Sequence, residues 1–170
     1  AEAFRFWLKL GIISFGRTTQ FTPDEQRTMM TLWSIARSPL ILGADMTKLD
    51  EATLALLTND EVLAVNQSSE ANRQLFEKGD LIAWVADVPE SKDKYLAVFN
   101  TGDAGIAHKD GDTAVTTSAT VRVPLADLGF SGEVMVRDLW TRTNLAPVSG
   151  EISADVPAHG ARLFRVRSAR

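Results

Sequence analysis

The segment FTPDEQRTMMTLWSIARSPLILGADM, residues 21–46, combines the signals of a capped helix with a short apolar run that leads to a carboxylate. Thr22 is a preferred N-cap residue, Pro23 suits the first helical position, and Glu25 completes a capping box with Thr22. We therefore predict that a helix begins at Pro23. Its apolar stripe has the three- and four-residue spacing of one helix face and consists of Met29, Leu32, Trp33 and Ala36.

The apolar run at residues 40–42 follows Ser38 and Pro39. Because a residue that precedes proline is displaced from the helical region, the helix is predicted to end there. A run without polar alternation favours a strand buried on both faces, as in a parallel sheet covered by helices. Asp45 would lie just past the carboxyl end of this strand, where α/β barrels build their active sites. A carboxylate at that point also caps turns, so a contact to a bound ligand and a structural role both remain open.

Composition excludes several classes of function. The 170 residues are 45% hydrophobic and 24% charged, which is typical of a globular protein of one or two domains. The net charge is -4, and no long run carries one sign, so we expect no nucleic-acid partner. No apolar segment approaches the roughly 20 residues that span a bilayer, so we expect no membrane partner. The chain has no cysteine and two histidines, which excludes disulfides and Cys/His zinc sites and leaves the compartment open.

Two short helices are predicted between the apolar run and residue 68. Asp50 can cap the first of them, and Thr58 with Glu61 has capping-box spacing for a second at residues 62–67.

The pattern changes from helical to extended near residue 68. The polar stretch QSSEAN, residues 67–72, is the predicted linker. Seven or eight short apolar runs follow, separated by turn signals and without a helix between them, which favours an antiparallel sandwich or barrel. We therefore predict an incomplete barrel segment at residues 1–68 and an antiparallel β-sandwich at residues 69–170, of which 73–168 should fold alone.

The two histidines are predicted to lie in a loop and in a turn. His108 lies in a glycine-rich stretch, residues 101–118, that is predicted to be a long exposed loop. His159 precedes Gly160 before the last apolar run, where a turn is predicted.

Four segments occur in a specific order: PDEQRTMMTLWSIARSPLILGADM, LTNDEVLAVNQ, VRDLW and PAHGARLFRV. Together they resemble the end of the α-galactosidase-like glycoside hydrolases of family 27. The resemblance extends from about Thr22 to Val166. It implies an α/β remnant, the last helix and strand units of a TIM barrel, followed by an all-β antiparallel sandwich.

The resemblance also implies which chemistry this chain does not carry. In that family two aspartates perform retaining hydrolysis of terminal α-galactosides, one as nucleophile and one as acid and base. Both precede the part resembled here, so the resemblance implies no catalytic residue, no metal and no organic cofactor in this chain. A family segment of the type Trp-x-Asp-x-Asp-Met contacts the sugar just upstream of the helix. Here Trp7 remains, but no Asp stands between Glu2 and Asp24, so this contact is absent or the sequence has diverged.

A supporting function is the first hypothesis. A barrel needs about 250 residues, so residues 1–68 cannot close one. We expect the C-terminal part of an α-galactosidase-like retaining enzyme, inactive alone, whose parent binds carbohydrate and is a candidate for a secreted or periplasmic location. The alternatives are a carbohydrate-binding module, with Trp84 or Trp140 as the sugar platform, and an interaction domain. Burial of both indoles would favour the structural interpretation.

An incomplete barrel exposes apolar surface and strand edges, which proteins cover or pair. The segment FRFWLKLGIISF, residues 4–15, or a second copy of the chain are the candidates to cover it. We expect a homo-oligomer built through residues 4–45.

Overall fold

The computed structural model describes residues 21–43, 45–102 and 118–169. The helices are α1 Pro23–Ile35, α2 Glu51–Leu57 and α3 Asp60–Ser68, with short 3-10 turns at Met46–Lys48 and Leu125–Leu128. The strands are β1 Glu70–Lys78, β2 Leu81–Asp87, β3 Lys94–Asn100, β4 Ala119–Pro124, β5 Val134–Asp138, β6 Thr143–Asn144, β7 Glu151–Val156 and β8 Ala161–Ser168.

The strands form two antiparallel sheets. The larger has the order β1-β2-β3-β8-β5-β6, and the smaller pairs β4 with β7. The first two strands form a hairpin whose turn uses Gly79 at a φ of 59°, a left-handed conformation that glycine adopts without strain. The predicted antiparallel sandwich is confirmed.

Alternate residues of β3 face two different cores. Leu96 and Val98 belong to a core shared with the two-stranded sheet, to which Val121 and Val156 contribute. Tyr95, Ala97 and Phe99 point to the opposite face, where they pack with residues of the helices. The helix residues of this second core are Leu32, Ile35, Val62 and Val65. The larger sheet is therefore buried on both faces, and the helices and sheet share one apolar core.

Helix α1 begins as predicted. Thr22 Oγ1 accepts a hydrogen bond from the Glu25 backbone N–H at 3.3 Å, and Glu25 Oε2 accepts one from the Thr22 N–H at 2.7 Å. The helix ends at Ile35, before Ser38, because Arg37 takes a left-handed φ of 51° and the Ser38 N–H returns to the Trp33 carbonyl at 2.9 Å.

The predicted buried strand at residues 40–42 is wrong. These residues form no strand, and the Ile41 side chain is 78% exposed. A strand buried on both faces needs neighbours on both sides, and neither sheet of the described residues includes this run.

Helix α3 has a different cap from the one predicted. Asn59 is its N-cap and accepts from the N–H groups of Glu61 and Val62 at 3.1 and 3.3 Å. Thr58 instead donates its hydroxyl proton to the Leu54 carbonyl at 2.8 Å and closes α2, which Asp50 caps as predicted.

The polar stretch at residues 67–72 is not a linker. Ser69 alone separates α3 from β1, and it is fully buried. Asn72 donates to the Ile35 carbonyl at 2.7 Å, so these polar side chains bind the helices to the sheet. Residues 1–20 and 103–117, and with them Trp7, His108 and residues 4–20 of the predicted oligomer segment 4–45, lie outside the described residues.

Candidate functional site

Asp45 caps the 3-10 turn Met46–Lys48. Its Oδ1 accepts from the Thr47 hydroxyl at 2.6 Å and from the Thr47 N–H at 3.0 Å, and its Oδ2 pairs with Lys48 Nζ at 2.9 Å. These bonds, the Thr47 hydroxyl first, hold the pKa of the Asp45 carboxyl below its usual value. The carboxylate is half exposed. Its contacts are those of a turn cap, and its exposed part can still accept hydrogen bonds from hydroxyl groups.

An apolar groove lies on the helical part of the chain. Its volume is about 180 Å³, and it is lined by Met30, Trp33, Leu40, Ile41, Leu42, Leu57 and Leu63. Next to it in sequence, Met46 is 72% exposed and Leu54 is 49% exposed. Single exposed apolar residues are normal, whereas a contiguous apolar groove is typical of an interaction site. This groove is the candidate functional site.

Trp140 joins α1 to the larger sheet. Its indole N–H donates to Thr31 Oγ1 at 2.9 Å, and its backbone N–H donates to Asp138 Oδ1 at 2.9 Å. The ring is partly buried and contacts both the helix-sheet core and the cluster around Met29 and Trp33. The indole is held by contacts inside the molecule.

Trp84 lies on β2, opposite Gln74 of β1 and Ala97 of β3. It is partly buried and packs against the same helix-sheet core as Trp140. Burial of this kind is the pattern that favours the structural interpretation of both indoles over a sugar platform.

Asp138 and Asp155 do not form a catalytic pair. Asp138 is nearly buried and accepts from the N–H groups of Trp140 and Thr141, so it caps a turn. Asp155 lies on the other sheet and accepts from the Thr120 hydroxyl at 2.6 Å. Their roles are structural.

His159 lies in the predicted turn before β8. It has a φ of 56°, and the Gly160 N–H donates to the Pro157 carbonyl at 2.8 Å. Its carbonyl accepts from the Thr28 hydroxyl at 2.7 Å, and its Nδ1 lies 3.3 Å from Glu25 Oε1. The turn therefore contacts the first turn of α1.

Ion pairs attach α3 to the sheet. Arg137 binds Glu61 through two hydrogen bonds of 2.6 and 2.8 Å, and this carboxylate raises the pKa of the Arg137 guanidinium. Arg165, directly opposite Arg137 on β8, pairs with Asp93 at 2.7 Å. A cavity of about 320 Å³ beside β5 and β8 is lined by Arg137, Arg165 and Arg167. Glu61 neutralises Arg137 and Asp93 neutralises Arg165.

The sequence pattern predicts no role for Arg37. The guanidinium donates to the carbonyls of Asn66, Gln67 and Ser69 at distances from 2.9 to 3.2 Å. An arginine placed just after a helix is compatible with such capping, but nothing local identifies the carbonyls of another helix as its acceptors.

Residues 21–43, 45–102 and 118–169 contain no group of three or more His, Cys, Asp or Glu side chains that could hold a metal ion. In the same part of the chain no helix has the length and apolar character needed to cross a membrane.

The chain is similar to known glycoside hydrolases along most of its length. The family described as the α-galactosidase C-terminal β-sandwich domain matches residues 78–166, and the family described as α-galactosidase A matches residues 9–68. An α-galactosidase from Coffea arabica is 31% identical over 147 residues, which cover 84% of this chain and 35% of the relative.

Crystal structures show the same similarity. A family GH27 β-L-arabinopyranosidase from Geobacillus stearothermophilus matches with a TM-score of 0.79 at 37% identity, over 90% of this chain and 32% of that one. α-Galactosidase I from Mortierella vinacea matches with a TM-score of 0.76 at 28% identity, over 89% of this chain and 37% of that one. The chain spans about a third of the length of these relatives.

Proposed function

Because the chain belongs to the α-galactosidase family of glycoside hydrolases, we propose that it forms the C-terminal part of a retaining enzyme of the α-galactosidase type and has a supporting role in it. The reaction of the whole enzyme is the hydrolysis of an O-glycosidic bond by two carboxylates, one of which attacks the anomeric carbon. The carbohydrate binds to the whole enzyme.

The observation that carries this proposal is the position of the helices between two apolar surfaces. On one side Ile35 and Val65 are buried against Phe99 of the larger sheet. On another side the apolar groove leaves Ile41 exposed, with Met46 and Leu54 close to it in sequence. A β-sandwich that holds helices with a second apolar surface outside the helix-sheet core is suited to support a larger α/β structure, as a barrel end requires.

The contacts that the carboxylates make in the described helices and turns also support the proposed role. Asp45 and Asp50 cap turns or helices, and Glu61 is bound to Arg137. A retaining glycosidase needs two carboxyl groups about 5 Å apart on either side of the bond, with one acid protonated. These three carboxylates are engaged in structural contacts and do not form such a pair. The chain alone is therefore proposed to be inactive.

Hydrolysis assays test the proposal. The full chain is incubated with nitrophenyl α-galactoside and nitrophenyl β-L-arabinopyranoside, with the Geobacillus relative as the positive control. We expect no nitrophenol release above buffer, because covalent and acid/base catalysis are both absent. Release that Asp45→Asn abolishes would show a catalytic centre in this chain and contradict the supporting role.

A further inference from the structure

The apolar groove needs a specific occupant, and the chain contains a chemically suitable one. Residues 4–15, FRFWLKLGIISF, are mostly aromatic or aliphatic, and their two charged residues, Arg5 and Lys9, are both basic. The segment that follows the groove, residues 45–51, carries Asp45, Asp50 and Glu51 against one lysine, a net charge of -2. Apolar surface and charge are therefore both complementary.

We propose that residues 4–15 of the same chain bind in the apolar groove lined by Met30, Trp33, residues 40–42, Leu57 and Leu63. This contact lies within the chain and does not depend on the function proposed above.

The connection between the segment and the groove makes an internal contact favourable. Phe21 packs against the cluster of Met29, Met30 and Trp33, and the last two of these also line the groove. Residues 16–20 separate Phe21 from Phe15, and six extended Cα steps span at most about 20 Å. Phe21 thus tethers the segment close to residues that line the groove, and a short tether gives an effective concentration on the order of 1 mM. A second copy at micromolar concentration competes poorly with it.

The absence of cysteine from the chain allows a direct test by disulfide trapping. Ile41→Cys places a thiol at an exposed position of the groove. It is combined in turn with Phe6→Cys, Leu8→Cys, Leu10→Cys or Ile12→Cys, so that at least one pair meets the Cα separation that a disulfide needs, below about 7 Å. The matched control carries the same second cysteine with Leu145→Cys, an exposed apolar position that does not line the groove.

With oxidised glutathione as the oxidant, we expect at least one Ile41 pair to form an internal disulfide on the monomer about ten-fold faster than its Leu145 control, at a rate independent of protein dilution. Cross-linking of every pair at the rate of its control would overturn the proposal. Disulfide-linked dimers whose rate of formation falls on dilution would also overturn it, because they would make a second copy the occupant, as a homo-oligomer through residues 4–45 requires. If Ile41→Cys disturbs folding, as seen by circular dichroism, Leu42→Cys replaces it at a second exposed position that lines the groove.

Discussion

Arg37 and Asn66 cap the helices of one another. Arg37 follows α1, and its guanidinium donates to the Asn66 carbonyl at 3.2 Å near the end of α3. The Asn66 amide donates in return to the carbonyls of Trp33 at 3.1 Å and Ser38 at 2.8 Å, at the end of α1. Each side chain thus donates to carbonyls at the end of the other helix or just beyond it. The pair therefore sets the direction in which residues 38–43 leave α1 toward the apolar groove.

Asn66→Ala should destabilise the protein by about 1–3 kcal/mol, because it removes the hydrogen bonds to the Trp33 and Ser38 carbonyls and leaves the Trp33 carbonyl with the Ser38 N–H alone. Urea unfolding followed by circular dichroism measures the change. Gln67→Ala is the matched control, since it truncates the neighbouring exposed side chain on the same helix. Equal unfolding midpoints for the two variants would contradict the reciprocal capping.

Substitutions of Arg37 should separate its hydrogen bonds from its backbone conformation. Both Arg37→Gly and Arg37→Ala lose the three bonds to carbonyls, but only alanine has to hold a φ of 51° against the clash of its Cβ. Arg37→Ala should therefore be less stable than Arg37→Gly by about 1 kcal/mol. The free energies of unfolding in urea give the comparison, and the reverse order would show that the left-handed conformation is not retained.

These examples show which features a sequence reveals. The Thr22 and Glu25 capping box is predictable because both partners lie within one turn of the same helix. The Arg37 and Asn66 pair is 29 residues apart, and only the packing of α1 on α3 brings it together. The same holds for Asn59, whose amide donates to the Leu139 carbonyl across 80 residues and thereby makes it a better cap than Thr58.

Burial is the second feature that local pattern does not determine. The run at residues 40–42 has the composition of a buried strand, but Ile41 is exposed since neighbouring strands are not present among the described residues. Conversely, residues 73–168 have the pattern of an independent sandwich, yet Phe99 and Leu163 are covered by the helices. A sandwich without the helices would expose this face, and the folding of residues 73–168 alone stays a prediction.

Tyr95 should make stability fall at alkaline pH. It is 4% exposed, and burial raises the pKa of its hydroxyl above the ordinary value of 10.0. Because the folded state favours the protonated form, this contribution is fully present below the unfolded pKa and is lost as pH rises through the folded pKa. Tyr95 is the one tyrosine of the chain, so tyrosinate absorbance reports it alone.

The native midpoint of that titration should exceed the midpoint in urea. Tyr95→Phe should reduce the alkaline loss of stability while keeping the ring in the core. Coincident midpoints in the native and unfolded protein would contradict the burial of the hydroxyl.

Trp140 should prove to be a packing residue. Trp140→Phe loses the hydrogen bond to Thr31 and should cost about 1 kcal/mol, whereas Trp140→Ala should cost about 3–5 kcal/mol through the cavity that it creates. Galactose and arabinose should leave the tryptophan fluorescence of the unmodified chain unchanged. A saturable fluorescence change that disappears in a folded Trp140→Phe variant would support the carbohydrate-binding alternative instead.

The supporting role is tested most directly by a fusion enzyme. Residues 21–169 of this chain replace the matching part of the Geobacillus β-L-arabinopyranosidase, and hydrolysis of nitrophenyl β-L-arabinopyranoside is compared with that of the same relative lacking this part. We predict that the fusion hydrolyses the substrate and the shortened relative does not, because the helices and sandwich complete the barrel that carries the catalytic carboxylates. A fusion that is soluble and unfolds cooperatively, yet hydrolyses no faster than the shortened relative, would contradict the account.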